Sequence, residues 1–288
     1  MGRDTEVAAL GALGALGAGD VERALEALGG GTDRPLLNAA LRTFLAAADD
    51  GRVYDQPAAF TAFINGGGNL RLYDAVSSAL AERYGRLGVT SLLDIGCGDG
   101  RALVRALSQA GVSPAVTLVE PSRALLDSAC AALGPAVTAH PTDATTFVAN
   151  LAARFDLAES TFALHALPPD ERTAVLTALR GHVSHLVLAE FDVPDHPPGS
   201  PEHLTFLADT YEQGLAEYDD DRDLVAQGFL MPVLTGQLAP GARRSTWEQP
   251  ATAWAEQVAA CGYRSVTVEP LCDYWSSPAF LLTATVID

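Results

Sequence analysis

Between Leu92 and Gly100 the chain reads Leu-Leu-Asp-Ile-Gly-Cys-Gly-Asp-Gly, and this stretch constrains the fold more than any other. Leu92, Leu93 and Ile95 bracket Asp94, and glycines follow at 96, 98 and 100. The β-prone run 89–93 precedes it, and Arg101-Ala-Leu-Val-Arg-Ala-Leu opens a helical pattern behind it. The glycines therefore sit where a buried strand turns into a helix. A ligand's polar end can lie against backbone N–H groups there, because no Cβ stands in the way.

Strand and helix patterns alternate from 89 to 191. Strands are expected at 90–95, 115–120, 136–140, 155–159 and 185–191, with helices near 100–110, 122–133 and 169–181 and a shorter one at 144–152. Such alternation predicts a parallel sheet with right-handed crossovers and a ligand beyond the carboxyl ends of its strands. An amphipathic helix over 251–261 and strands at 263–269 and 279–286 complete the chain. The short link between those strands predicts an antiparallel pair at the sheet edge. The expected fold is a seven-stranded, doubly wound α/β sheet, mainly parallel, with an antiparallel last strand.

Two regions fall outside that alternation. Residues 1–84 read as a helical N-terminal cap, with 85–288 as the ligand-binding domain. Leu-Gly pairs recur every three residues from Leu10 to Gly17, a low-complexity but helix-compatible run in which each interior glycine costs a helix about 1 kcal/mol. Gly66-Gly67-Gly68 lies between two helical patterns as a hinge or a close-approach loop. Residues 194–250 form a long insertion after the fifth strand, acidic at 219–223 and apolar at 229–234.

Charge narrows the partners. The formal net charge is −18, and all 18 basic residues are arginine. No basic stripe is present, which argues against a nucleic acid or an anionic membrane as partner. The four cysteines are scattered without metal-ligand spacing. With no apolar run of about 20 residues and no leader pattern, the chain reads as cytoplasmic with free thiols. The Ala/Gly/Arg-rich, lysine-free composition points to a GC-rich bacterial genome. Asp192, His196 and His203 also lack metal spacing, and the 219–223 acidic run reads as a solvated helix end, so no metal is expected.

Two ligand classes use a glycine turn of this kind. The dinucleotide fingerprint needs Gly or Ala where Arg101 stands. The pattern (Asp/Glu)-x-Gly-x-Gly-x-Gly is met by Asp94, Gly96, Gly98 and Gly100, and it resembles motif I of class I S-adenosylmethionine-dependent methyltransferases. A glycine turn without a ligand is the competing reading.

The resemblance covers about 85–288 and implies S-adenosylmethionine as cofactor. It places Asp94, Gly96, Cys97 and Gly98 against it, with Glu120 and Pro121 at the end of the second strand. Glu120 is suited to accept hydrogen bonds from a ribose diol. Asp143 and Ala144 are placed at the adenine, and Glu159 and Ser160 beside the sulfonium and methionyl group. Tyr54 and Tyr73 are candidates to line the methionine end, or else ordinary core-edge residues.

His165 is the first candidate for a general base and Glu190 the second, should the acceptor lose a proton as it reacts. The insertion is expected to form a lid, with Tyr211, Tyr218, Phe229, Met231, Arg243 and Arg244 as candidate lining. Phe63 and Asn69, which flank the triple glycine, are further acceptor-binding candidates. The implied acceptor is a small molecule, with tailoring of a secondary metabolite as the expected role, and a homodimer is compatible. A protein of the same fold that binds the cofactor but catalyses a cyclisation, and a non-enzymatic binding module, are the alternatives.

Overall fold

The computed structural model describes residues 8–29, 31–47, 57–242 and 245–286. The strands are β1 (Ser91–Ile95), β2 (Ala115–Val119), β3 (Thr138–His140), β4 (Phe155–Thr161), β5 (Val183–Phe191), β6 (Arg264–Cys272) and β7 (Ala279–Thr285). The helices are α1 (Ala8–Gly17), α2 (Val21–Leu28), α3 (Pro35–Ala46), α4 (Pro57–Ile64), α5 (Asn69–Leu87), α6 (Arg101–Ala110), α7 (Arg123–Leu133), α8 (Ala144–Ala149), α9 (Pro169–Arg180), α10 (Pro201–Ala216), α11 (Arg222–Val225), α12 (Met231–Leu238) and α13 (Ala251–Ala260). They divide into two compact units: residues 71–194, 245–273 and 278–288, which hold the sheet, and residues 1–70, 195–244 and 274–277.

In the sheet unit the strand order is β3-β2-β1-β4-β5-β7-β6. β1 pairs parallel with both β2 and β4, and β7 runs antiparallel to β5 and β6, as the alternation and the short final link require. The chain steps outward from β1 to β3 and then returns to lay β4 beside β1. That reversal opens a crevice at the carboxyl ends of β1 and β4. β4 extends to Thr161, beyond the expected 159, because Ser160 and Thr161 find partners in Leu188 and Ala189 of β5.

Alternation along each strand sorts side chains onto two faces. Leu93 and Ile95 share a buried cluster with Leu176, Trp254 and Val258. Leu92, Leu118 and Leu157 share the other with Leu80, Tyr84 and Leu103. Asp94 and Glu159 lie two residues beyond Leu92 and Leu157, so period two carries them onto the second face. Glu120 follows Leu118 by the same step.

Arg172 on α9 is fully buried. Its guanidinium sits 4.0 Å over the Trp254 ring and donates to Gln257, Trp247 O and Gln249 at 2.9–3.0 Å. A buried guanidinium needs such a full set of acceptors, and this one ties the segment before α13 to α9.

The helical unit has its own core, in which Leu13, Leu28, Leu41, Leu215, Met231 and Leu234 are buried. The Leu-Gly run forms α1 in spite of its glycines. A Cβ at Gly11 would meet Ala27 Cβ at 3.5 Å, and one at Gly14 would meet Leu204 at 3.7 Å, so small residues here allow close helix contacts. Burial of the leucines outweighs the propensity cost. The triple glycine is a close-approach loop: a Cβ on Gly67 (φ +50°) would lie 2.9 Å from Tyr218, and Gly68 N donates to Glu217 at 2.6 Å.

Candidate active site

The turn after β1 is built from three left-handed glycines, Gly96 (φ +71°), Gly98 (+55°) and Gly100 (+76°). Gly96 N and Cys97 N both donate to Val119 O, which fastens the turn to the end of β2. Gly98 N donates to Glu120 Oε2 at 3.1 Å. A Cβ on Gly96 would strike Ala163 Cβ at 2.3 Å, whereas one on Gly98 has no described atom within 4 Å. Gly98 therefore faces open space: a cavity of ≈ 230 Å³ lined by Tyr73, Asp94, Cys97, Asp99, Arg101, Glu120 and Phe162 with neighbouring backbone. A broader depression of ≈ 600 Å³ runs along α6 between Arg101, Arg105, Gln109 and Ala132. It is open surface beside the Arg105–Asp74 ion pair.

Carboxylates dominate the cavity. Asp94 is 4 % exposed, and its Oδ1 is buried without a hydrogen-bond partner among the described residues. Burial, and then the charge of Glu120, push its carboxyl up to about 7. Glu159 is the register partner of Asp94 across β1 and β4. It is 1 % exposed and accepts the Tyr84 hydroxyl, at 2.6 Å from Oε2 and 2.8 Å from Oε1. Burial, and then Asp94, hold Glu159 well above the usual carboxylate range. Burial followed by Glu159 likewise raises Tyr84, which stays a donor. Two ionised carboxylates at the spacing of adjacent strands, about 5 Å, repel by about 3 kcal/mol at an effective dielectric constant of about 20. The Cys97 thiol is pushed up by burial and then by Asp94 and Glu120, which keeps it protonated and unreactive.

Glu120 is held in one pose by Gly98 N on Oε2 and by Ser122 N, at 2.8 Å, on Oε1. Each carboxylate oxygen can accept a second bond, so both retain capacity for a diol. Tyr73 lines the same cavity, with its ring edge-on to Phe162 (6.3 Å) and the Arg101 guanidinium 5.4 Å from its centroid. Tyr54, Arg243 and Arg244 lie outside the described residues.

Other candidates stand apart from the cavity wall. Ser160 donates to Ile95 O at 2.8 Å. Asp143 caps α8, accepting from Thr146 N and from the Thr145 and Thr146 hydroxyls, which lower its carboxyl to about 2. Ala144 opens that helix, and Pro121 is an exposed residue beyond Glu120.

His165 and Glu190 come together. His165 Nδ1 lies 2.7 Å from Glu190 Oε2, and His165 N donates to Oε1 at 3.2 Å. Glu190 is 1 % exposed and both its oxygens serve His165. This leaves Nε2 as the ring atom that can exchange a proton elsewhere. Burial works to lower the His165 pKa, but the charge and hydrogen bond of Glu190 outweigh it and lift the ring above 6.5. Trp247 N donates to His165 O at 2.7 Å, so the Arg172 network also holds this turn.

Phe63, Tyr211, Tyr218 and Met231 are core residues of the helical unit, with Phe229 packed against them. Phe63 and Phe229 have ring centroids 4.3 Å apart. Asn69 donates to Phe63 O at 2.9 Å and to the Tyr218 hydroxyl at 3.2 Å, and the Tyr218 hydroxyl donates to Phe63 O.

The cavity also uses residues that pattern reading passed over: Asp99, Arg101, Thr161, Phe162 and Ala163. Phe162 has φ +49°, strained for a side chain of its size, and stacks on Phe191 at 4.5 Å and 15°. No local signal marks it, because the strain is imposed by a tertiary stack. Among the described residues no group of three His, Cys, Asp or Glu could hold a metal, and no helix is long and apolar enough to cross a membrane.

Comparison with known proteins bears on this geometry. Residues 92–185, from β1 into β5, match the family model described as a methyltransferase domain. The sheet is the class I methyltransferase fold. The fold is similar to that of solved methyltransferases of low identity. One is the magnesium protoporphyrin IX methyltransferase from Synechocystis PCC 6803 with bound S-adenosylhomocysteine. It is 16 % identical, with a TM-score of 0.53 over 82 % of this chain and 98 % of that one. A second is the 1,6-didemethyltoxoflavin-N1-methyltransferase from Burkholderia thailandensis, 18 % identical, with a TM-score of 0.52 over 87 % and 88 %. A third is the mitomycin 7-O-methyltransferase, 16 % identical, with a TM-score of 0.51 over 93 % and 71 %. No curated protein sequence matches the chain. The matched residues include Asp94, the glycine turn, Glu120 and the β4 end, the parts that build the cavity.

Proposed function

We propose that this chain transfers a methyl group from S-adenosylmethionine to a small molecule that loses a proton in the reaction. The observation that carries the reading is the Gly98 cradle, open where a Cβ would stand, between an unpartnered Asp94 oxygen and a diol-ready Glu120. These groups fit an adenosyl amino acid: main-chain N–H and unscreened carboxylates for its polar end, and Glu120 for its sugar. The S-adenosylhomocysteine bound in the Synechocystis and Burkholderia structures supports the same cofactor class. The matched domain supports methyl transfer over hydride transfer, as does Arg101 in the dinucleotide glycine slot.

When bound, S-adenosylmethionine supplies a methyl group already activated by its sulfonium. The chain's residues then have to align, exclude water and move one proton. Tyr73 and Phe162, the latter backed by Phe191, wall the cavity with apolar surface. Glu190 fixes the His165 ring through Nδ1, leaving Nε2 to take the acceptor's proton. Glu190 acts through His165 and is a positioning residue, since both its oxygens are committed. The net charge of −18 and the absence of a basic stripe favour a small neutral or cationic acceptor. Tailoring of a hydrophobic natural product is the role we assign.

The test is the pH profile of kcat with any acceptor found by screening hydroxylated aromatic compounds. Activity is expected to rise with pH as His165 loses its proton, with a midpoint above 6.5. His165→Gln removes that limb. Glu190→Gln shifts it to lower pH, because the charge that raises the ring is gone. A profile unchanged in both variants refutes the base assignment.

A further inference from the structure

Arg172 lies fully buried in the first turn of α9, at the end of the helix where main-chain N–H groups already concentrate positive charge. Burial strips a guanidinium of solvent and that helix end repels it, so stability alone does not account for a cation at this place. Residues 245–250 run as a strap past both members of the His165–Glu190 pair. At one point Trp247 N donates to His165 O at 2.7 Å. At the other, Gln249 bridges Asp192, two residues beyond Glu190, and Asp192 accepts from Ala251 N at 2.7 Å. Arg172 grips the strap at these same two residues: Nη1 donates to Trp247 O and Nη2 to Gln249 Oε1, each at 3.0 Å. Its Nε donates to Gln257 Oε1 at 2.9 Å, and Gln257 Nε2 donates in turn to Pro169 O at 3.0 Å, which returns to the start of α9. Leu167-Pro168-Pro169 joins the His165 turn to that helix, and the two prolines stiffen the link.

We propose that Arg172 is the positioning residue that keys His165 to Glu190: its two terminal nitrogens fix the two strap residues that fasten the histidine turn and the acid's strand. The inference rests on the base assignment above and deepens it. Arginine is needed for its fork. A guanidinium holds two acceptors at a fixed angle and spacing, whereas an ammonium offers only a point charge. With the fork in place, the His165 turn and the strand end beyond Glu190 are held by one rigid group, and Nδ1 stays 2.7 Å from Glu190 Oε2. Release of either arm lets the turn drift from the carboxylate, and a displacement of about 1 Å is enough to slow the reaction roughly 100-fold. Arg172 does not line the cavity, so cofactor binding is expected not to register its loss.

The ring is followed by NMR in the full-length protein without ligand, with His165→Gln identifying its signals among the six histidines. Glu190, Glu248 and Arg172 are the charged groups that act on the ring. Arg172→Lys keeps the charge and removes the fork, so a change in the ring reports a loosened Glu190. The expected result is a titration midpoint shifted to lower pH and faster solvent exchange of the Nδ1 proton. Gln249→Leu cuts one arm and keeps the arginine; it shifts both readings the same way by less, and it decides the matter if the lysine variant fails to fold. In turnover with an acceptor found by the screen above, Arg172→Lys lowers kcat roughly 10- to 100-fold with KM for S-adenosylmethionine unchanged. In a Glu190→Gln background the same substitution costs about twofold or less, because the pair it serves is already broken. An unchanged ring in both variants overturns the proposal, as does a kcat loss of the same size with and without Glu190, which marks a scaffold residue. The base assignment then stands or falls by the pH limb of His165→Gln alone. A ring that shifts as expected in a protein whose activity survives His165→Gln upholds the keying and overturns the base assignment.

Discussion

Asp94→Asn should make the protein more stable at pH 8 while weakening its grip on ligand. The side chain is 4 % exposed, with one oxygen unpartnered and two buried or nearly buried carboxylates as neighbours. Its carboxyl moves from 3.8 to about 7 on folding. The folded state therefore holds a proton between these values that the unfolded chain has lost. Stability falls as pH rises through that window and levels off above about 7. At roughly 1.36 kcal/mol per pH unit the total loss is about 4 kcal/mol, an upper bound because the Asp94 and Glu159 protons are shared. Asparagine has the same shape and never ionises. At pH 5 the folded carboxyl is neutral but the unfolded one has ionised, so only about 1.6 kcal/mol of that loss has accrued and the variant should lead by no more than that. At pH 8 the variant should gain up to about 4 kcal/mol, which is about 10 °C in Tm. The assay is a pair of thermal melts of wild type and variant at each pH, read as the change in Tm difference, which cancels effects common to both proteins. A difference that is the same at pH 5 and pH 8, or a variant less stable at pH 8, refutes the reasoning. A stabilising substitution at the centre of a binding site is the signature of a group kept for function.

The two inner glycines of the turn should separate stability from binding. Gly96→Ala drives a Cβ into Ala163 and should cost about 3 kcal/mol by denaturant unfolding, whereas Gly98→Ala carries only left-handed strain of about 1–2 kcal/mol but should weaken S-adenosylmethionine binding more. Glu120→Gln leaves one acceptor oxygen where two stood and should lower that affinity roughly 10- to 100-fold by calorimetry. Cys97 should react with iodoacetamide at pH 8 far more slowly than a free thiol, as mass mapping of the four cysteines would show, and rapid labelling at Cys97 would contradict the buried, anionic cavity.

The sheet was legible because its signals are local. Leu92, Leu93 and Ile95 carry a strand, the glycines a turn, and Arg101 onward a helix, and the observed bounds differ from the expected ones by three residues at most. Of the residues named from the sequence, Asp94 and Glu120 at strand ends and Tyr73 on α5 line the cavity. Period two could have shown that Asp94 and Glu159 share a face, but their adjacency depends on β4 returning beside β1, a long-range pairing. Phe162 was hidden for the same reason, since its φ and its stack on Phe191 arise from β4 and β5 together. In the helical unit, Tyr211, Tyr218 and Met231 were read from their type and region alone, and aromatic or sulfur side chains carry no mark that separates a core from a binding wall. The Leu-Gly run, helix-compatible in the sequence despite its glycines, does form a helix, because packing against Ala27 and Leu204 outweighs propensity.

The central claim is that the glycine turn and Glu120 hold an adenosyl amino acid. A crystal structure grown with S-adenosylhomocysteine tests it most directly. The account predicts both ribose hydroxyls within hydrogen-bonding distance, about 2.5–3.0 Å, of the Glu120 oxygens, with the amino acid end over Gly98 beside Asp94. Density for the compound elsewhere, or a ribose turned away from Glu120, would contradict it.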